Sequence, residues 1–224
     1  MGCDMSFLQK ARLTGDGETT AAGSESFEKR ILLLGLDNAG KTSLLYFMRD
    51  AQFKDTVPTV GLNIEHLQYK RYSLTFWDVG GQITKLWKHY FDKIDGVIFV
   101  IDSTDREKLQ KAKKELQSLM VDQSIGAVPF LIYFNKQDLT DQLITQEEIE
   151  QILDLQSEEQ NRTICAQCCS AFNGQGIWDG IDQIIKTYED NKIVHLKQSS
   201  NKNDGDTSQI QQQSQQSANK KSQL

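Results

Sequence analysis

The run Gly35-Leu36-Asp37-Asn38-Ala39-Gly40-Lys41-Thr42 constrains this chain more than any other stretch. It follows the apolar residues Ile31-Leu32-Leu33-Leu34 and leads into Ser43-Leu44-Leu45, so a glycine-bounded loop joins a buried strand to a helix. Such a loop curls until successive N–H groups point at phosphate oxygens, and the helix dipole adds positive potential there. Gly35, Asp37, Asn38, Ala39, Gly40 and Ser43 supply the cradle; Lys41 reaches the terminal phosphates and the Thr42 hydroxyl ligates magnesium.

A loop of this kind needs a parallel sheet behind it, and the rest of the chain provides one. Val97–Ile101 and Phe130–Phe134 are unbroken apolar runs of the kind found in central strands covered on both faces. Leu62, Ile64, Leu74 and Phe76 instead alternate on either side of Lys70-Arg71, which predicts a hairpin and hence a mixed sheet. Leu109, Ala112, Leu116 and Leu119 recur at helical spacing, with Lys108, Lys111, Lys113 and Lys114 read as the solvated face. Thr145 and Glu148 form a capping-box pattern ahead of Ile149, Ile152 and Leu153, and Ile177, Ile181, Ile184, Ile185 and Tyr188 mark a last amphipathic helix. The expected fold is α/β, a three-layer doubly wound domain with a mixed, mostly parallel sheet over residues 27–192. Residues 1–26 read as an N-terminal segment and polar tether, and 193–224 as a Gln/Ser/Asn-rich tail too polar to order itself.

Composition narrows the function classes. A net charge of -6 argues against a nucleic-acid partner. The apolar run Val97–Ile101 is far short of the roughly 20 residues of a membrane-spanning helix. Cys165, Cys168 and Cys169 include one C-x-x-C spacing without a second ligand pair nearby, so core packing is the expected role.

Two further motifs fall at carboxyl ends of predicted strands, where open α/β sheets bind ligands. Asp78-Val79-Gly80-Gly81-Gln82 places a carboxylate where it holds magnesium, a glycine whose N–H meets a γ-phosphate, and a glutamine able to orient water. Asn135-Lys136-Gln137-Asp138 is the specific signal, because the Asp138 carboxylate accepts from both N1–H and the 2-amino group of guanine. Adenine offers neither donor. Asn135 would tie this loop to the phosphate loop, the Lys136 stem would lie along the base, and Ser170-Ala171 would give the Ala171 N–H to the guanine carbonyl.

Taken together with Pro58-Thr59-Val60-Gly61, these motifs resemble the Arf/Arl branch of the Ras-like small GTPases. The resemblance implies a GTP/GDP switch with Mg2+, regulated by an exchange factor and a GTPase-activating protein and read by effectors. It implies that Thr59 completes the magnesium shell with Thr42 and Asp78, and that Gln82, Lys41 and Thr59 carry hydrolysis. It also implies an effector surface at Leu62, Trp77 and Tyr90, although the family's first member there is usually Phe. Between Gln82 and Leu86-Trp87 the chain is about two residues shorter than that pattern, which must alter local geometry. Slow hydrolysis is therefore expected, with a nucleotide-retaining scaffold of the same fold as the alternative; an ATPase or small-molecule kinase leaves the Asn135–Asp138 motif without a role.

Met1-Gly2-Cys3-Asp4-Met5-Ser6 fits N-myristoylation at Gly2. One myristoyl chain binds membrane marginally, and Cys3 offers a second, palmitoyl anchor. Attachment to the cytosolic face of the Golgi or another endomembrane, in vesicle or membrane trafficking, is the expectation.

Overall fold

The computed structural model describes residues 26–154 and 162–190. Gly2, Cys3, the tether and the tail from 193 lie outside them. Two compact units divide the chain, residues 1–184 and 185–224, and of the second only 185–190, which are helical, are described.

In the first unit the elements run β1 (Phe27–Leu34), α1 (Lys41–Asp50), β2 (Leu62–Tyr69), β3 (Tyr72–Val79), β4 (Gly96–Asp102), α2 (Arg106–Val121), β5 (Phe130–Asn135), α3 (Gln146–Leu153) and β6 (Ile164–Cys168). A last helix, α4, begins at residue 177. The six strands lie in the order β2-β3-β1-β4-β5-β6. Only the β2–β3 hairpin is antiparallel; every other neighbouring pair is parallel. From β1 the sheet grows in both directions, which opens a crevice at the carboxyl end of that strand.

Burial follows the apolar runs. Every residue of β4 and β5 is buried, and so are Ile31–Leu34 in β1. The Lys70-Arg71 turn carries Lys70 at φ +53° and joins Tyr69 to Tyr72, which face each other across the ladder. Helix α2 turns Leu109, Ala112, Leu116 and Leu119 onto the core, where they meet Phe99, Phe130 and Phe134. On α4 itself, Ile177, Ile181 and Ile184 are fully buried. No described helix is long and apolar enough to cross a membrane.

Two local expectations are corrected. The capping box before α3 is only half formed: Thr145 Oγ1 accepts from the Glu148 N–H at 3.2 Å, but the Glu148 carboxylate pairs with Arg106 at the start of α2. An Arg that presents a bidentate fork outcompetes a backbone N–H for the same carboxylate. Lys108 leaves the solvated set, because its ammonium reaches the Asp37 carboxylate at 3.1 Å. Thr145→Ala, which removes the surviving half of the cap, is expected to cost about 1 kcal/mol in urea denaturation without changing the slope.

Candidate functional site

The phosphate loop leaves β1 at its buried end and enters α1 through Gly40, whose φ of +90° would strain any side chain. A Cβ there would also stand 2.3 Å from Asn135 Nδ2. Asn135 uses that closeness, donating from Nδ2 to Ala39 O at 2.9 Å and tying the end of β5 to the loop. Asn38 sits at φ +63°, a conformation Asn tolerates better than most residues.

At one end of the cleft three oxygen-bearing side chains converge. Thr42 Oγ1 donates to Asp78 Oδ2 at 2.6 Å, and Thr59 Oγ1 lies 2.7 Å from Thr42 Oγ1 and 3.5 Å from Asp78 Oδ2. Thr59 arrives there from the irregular stretch between α1 and β2, whose Thr56 also meets Ser43, hydroxyl to hydroxyl, at 3.1 Å. Asp78 is fully buried and its Oδ1 has no hydrogen-bond partner among the described residues. Burial pushes its carboxyl up from the usual range, against the Thr42 hydrogen bond and the Lys41 charge. Lys41, itself buried, donates to Gly35 O at 2.9 Å and Leu36 O at 3.0 Å, and burial pulls its ammonium down to about 8. A desolvated acid and a desolvated ammonium side by side gain from a cation near the first and an anion near the second. One carboxylate with an orphaned oxygen and two hydroxyls also suits magnesium, which takes few protein ligands and completes its shell with phosphate and water.

The other end is built by two loops. Ser170 Oγ donates to Asp138 Oδ1 at 2.5 Å and also accepts from the N–H groups of Phe172 and Asn173, so the β5 and β6 loops are locked together. Lys136, at φ +70°, runs its ammonium to Asp102 at 2.6 Å. Ala171 lines the cleft, and its N–H donates to Asn135 Oδ1 at 2.9 Å. Asn135 thereby bonds both the phosphate loop, at Ala39 O, and the turn after β6, so its buried amide is satisfied on both sides.

Between the ends lies a cleft of about 390 Å³. Gly81 and Gln82 form part of its wall, Gln82 with its side chain exposed. Gly35, Ala39, Asp78 and Ser170 stand behind the lining and brace it through the bonds above. The loop after Gln82 is short but anchored, with Trp87 Nε1 donating to Gly80 O at 3.1 Å and its ring edge-on to Phe99. Leu62, Trp77 and Tyr90 lie away from the cleft, half-buried against the core, with Trp77 edge-on to Tyr90 and under the Arg30 guanidinium.

Sequence reasoning missed part of the cleft wall, Asp55, Thr56, Val57 and Leu139 included, and one residue that braces it. Phe53 and Phe172 line it, and Lys108 holds Asp37 by both its carbonyl and its carboxylate. For Phe53 the available signal was an aromatic residue in the polar run Gln52-Phe53-Lys54-Asp55-Thr56.

A glycine-bounded loop at the topological switch point, faced across the cleft by the Asn135–Asp138 loop that leaves β5, is the arrangement of a small GTPase of the Ras-like fold. Comparison with known proteins gives the particular family. The ADP-ribosylation factor family model matches residues 19–188, and the chain belongs to that family. It is 43% identical to ADP-ribosylation factor J of Dictyostelium discoideum over 162 residues, 71% of this chain and 85% of that protein. ADP-ribosylation factor K of the same organism is 40% identical over the same shares. Among solved structures, the Arl6 (BBS3) small GTPase of Trypanosoma brucei, with the nucleotide analogue GppNp bound, superposes with a TM-score of 0.64 at 30% identity. That match covers 71% of this chain and 96% of the other. As a family member the protein is a GTP-hydrolysing switch, with the exchange factors, activating proteins and effectors that small GTPases use.

Proposed function

We propose that this GTPase binds GTP and GDP with Mg2+, hydrolyses GTP slowly, and reports its state at the cytosolic face of an endomembrane such as the Golgi, in membrane or vesicle trafficking. The convergence of Thr42, Thr59 and Asp78 beside Lys41 carries this reading. Those three oxygens would hold the metal, which when bound neutralises charge on the β- and γ-phosphates. Thr59 draws the stretch between α1 and β2 over the phosphate loop, so its position registers the terminal phosphate. Lys41 meets that phosphate with a charge already stripped of water. Gln82 orients the attacking water, and Asp138 reads the base. Leu62, Trp77 and Tyr90 offer effectors a half-buried apolar surface whose backbone leads directly into both switch stretches. Gly2 as myristoyl acceptor and Cys3 as palmitoyl acceptor would supply the membrane anchor.

Gln82 followed by an exposed Ile83, in a loop held by Trp87, also favours the scaffold reading with almost no turnover. One experiment covers both. Calorimetry of nucleotide-free protein with GTP, GDP and ATP, with and without Mg2+, is expected to show guanine nucleotides binding only and Mg2+ strengthening them. Intrinsic hydrolysis is expected at or below ~10⁻⁴ s⁻¹, and a rate above ~10⁻² s⁻¹ contradicts the proposal. Equal rates in wild type and Gln82→Leu would select the scaffold. Intact mass of cell-derived protein tests the anchor.

A further inference from the structure

We propose that Phe53 and Phe172 form an aromatic clasp that closes the mouth of the nucleotide cleft and sets how long the nucleotide stays. The inference rests on the guanine-nucleotide reading of that cleft and adds a device to it. The two rings lie with centroids 5.1 Å apart at an interplanar angle of 56°, the tilted contact that aromatic pairs favour. They come from opposite walls. Phe53 belongs to the irregular stretch between α1 and β2, and Phe172 to the turn that follows β6. Both line the cleft.

Their exposure is what calls for explanation. Phe53 is 39% and Phe172 59% exposed, so neither is a core residue, yet the two rings are in contact. The walls they join differ in rigidity. Phe172 stands on a turn fixed at Ser170 Oγ, which accepts from Phe172 N and Asn173 N and donates to Asp138 Oδ1. Phe53 stands on a stretch that carries no regular structure from residue 53 to 60, in which Val57 and Val60 are 83% and 92% exposed. Described side-chain ties from that stretch to the rest of the cleft are few: Thr56 to Ser43, Thr59 to Thr42 and Asp78, and this ring pair. The hydroxyl ties sit at the phosphate end. Among the described side-chain ties only the ring pair joins the stretch to the loops after β5 and β6, and in this proposal a purine leaving past Asp138 parts the two rings. The clasp therefore links release of the base to opening of the first switch stretch.

Release of a fluorescent GDP analogue, chased with excess GDP in Mg2+, tests this in wild type, Phe53→Ala, Phe172→Ala and the double variant. Each single variant is expected to release about 2- to 12-fold faster, the range a single aromatic pair contributes. Either substitution breaks the same contact, so the double variant should lie within about twofold of the faster single one. Phe172→Trp, which keeps an aromatic face there, should restore release to near the wild-type rate. Single variants that release at the wild-type rate, or effects that multiply in the double variant, overturn the clasp while leaving the guanine-nucleotide reading intact. Wild-type protein that takes up no GDP overturns both. Thermal melting of all four nucleotide-loaded proteins is expected within a few degrees of wild type, because neither ring is buried.

Discussion

Asp138→Asn is expected to exchange guanine preference for xanthine preference. The carboxylate presents two acceptors to a base edge that carries two donors, N1–H and the 2-amino group. An amide presents one acceptor and one donor. Its NH2 would then face the guanine amino group, with one bond lost and two donors opposed. Hydrogen bonds to a charged group contribute about 1.5–3 kcal/mol each, so the affinity for GTP should fall by about 10²–10⁴-fold. Xanthine keeps N1–H but carries a carbonyl at position 2, which the amide satisfies completely. The local frame tolerates the change: the Ser170 hydroxyl that donates to Asp138 Oδ1 at 2.5 Å can donate to an amide oxygen or accept from an amide nitrogen. Competition of GTP, XTP and ATP against a fluorescent nucleotide measures it. Unchanged GTP affinity would mean that the base is read elsewhere.

How much of this was legible in the residues depends on what kind of information each feature needs. Strands β4 and β5 were readable because a strand buried on both faces has only apolar residues to show. The extent of β1 was less so. Its apolar run marks Ile31–Leu34, the part paired with β4 and, as far as Leu33, with β3 as well, whereas Phe27–Arg30 pair with β3 alone and carry charged residues. The cleft was legible because its chemistry is carried by short contiguous motifs, each at the end of a strand. Pairings between distant side chains were not. Glu148 meets an arginine 42 residues earlier and Lys108 an aspartate 71 residues earlier, and periodicity encodes which face a residue occupies without saying which charge lies opposite. The Ala171 N–H shows the same limit for backbone groups, since its acceptor depends on where β5 places Asn135.

Gly81→Ala is expected to slow hydrolysis by about 100-fold or more while leaving GDP binding nearly intact, and the reason is steric. A Cβ on Gly81 would stand 2.4 Å from the Leu36 carbonyl carbon and 2.5 Å from both Asp37 N and Gly35 O. All three are backbone atoms of the phosphate loop, and that loop has little room to yield. Lys41 holds Gly35 and Leu36 by their carbonyls, Lys108 holds Asp37, and Asn135 holds Ala39. Movement falls instead on the segment that carries Gly81. Gly80 is itself constrained, its N–H donating to Gly61 O at 2.9 Å, so the shift is passed toward Gln82. Displacing a water-positioning group by about 1 Å costs on the order of 10²-fold in rate. The base-reading loops and Lys41 stay where they were, so the variant should retain GDP while failing to turn over GTP. Single-turnover hydrolysis beside GDP titration separates the two effects. Hydrolysis within about threefold of wild type would show that Gly81 does not set the position of Gln82, and equal losses of binding and hydrolysis would place the damage in the phosphate loop instead.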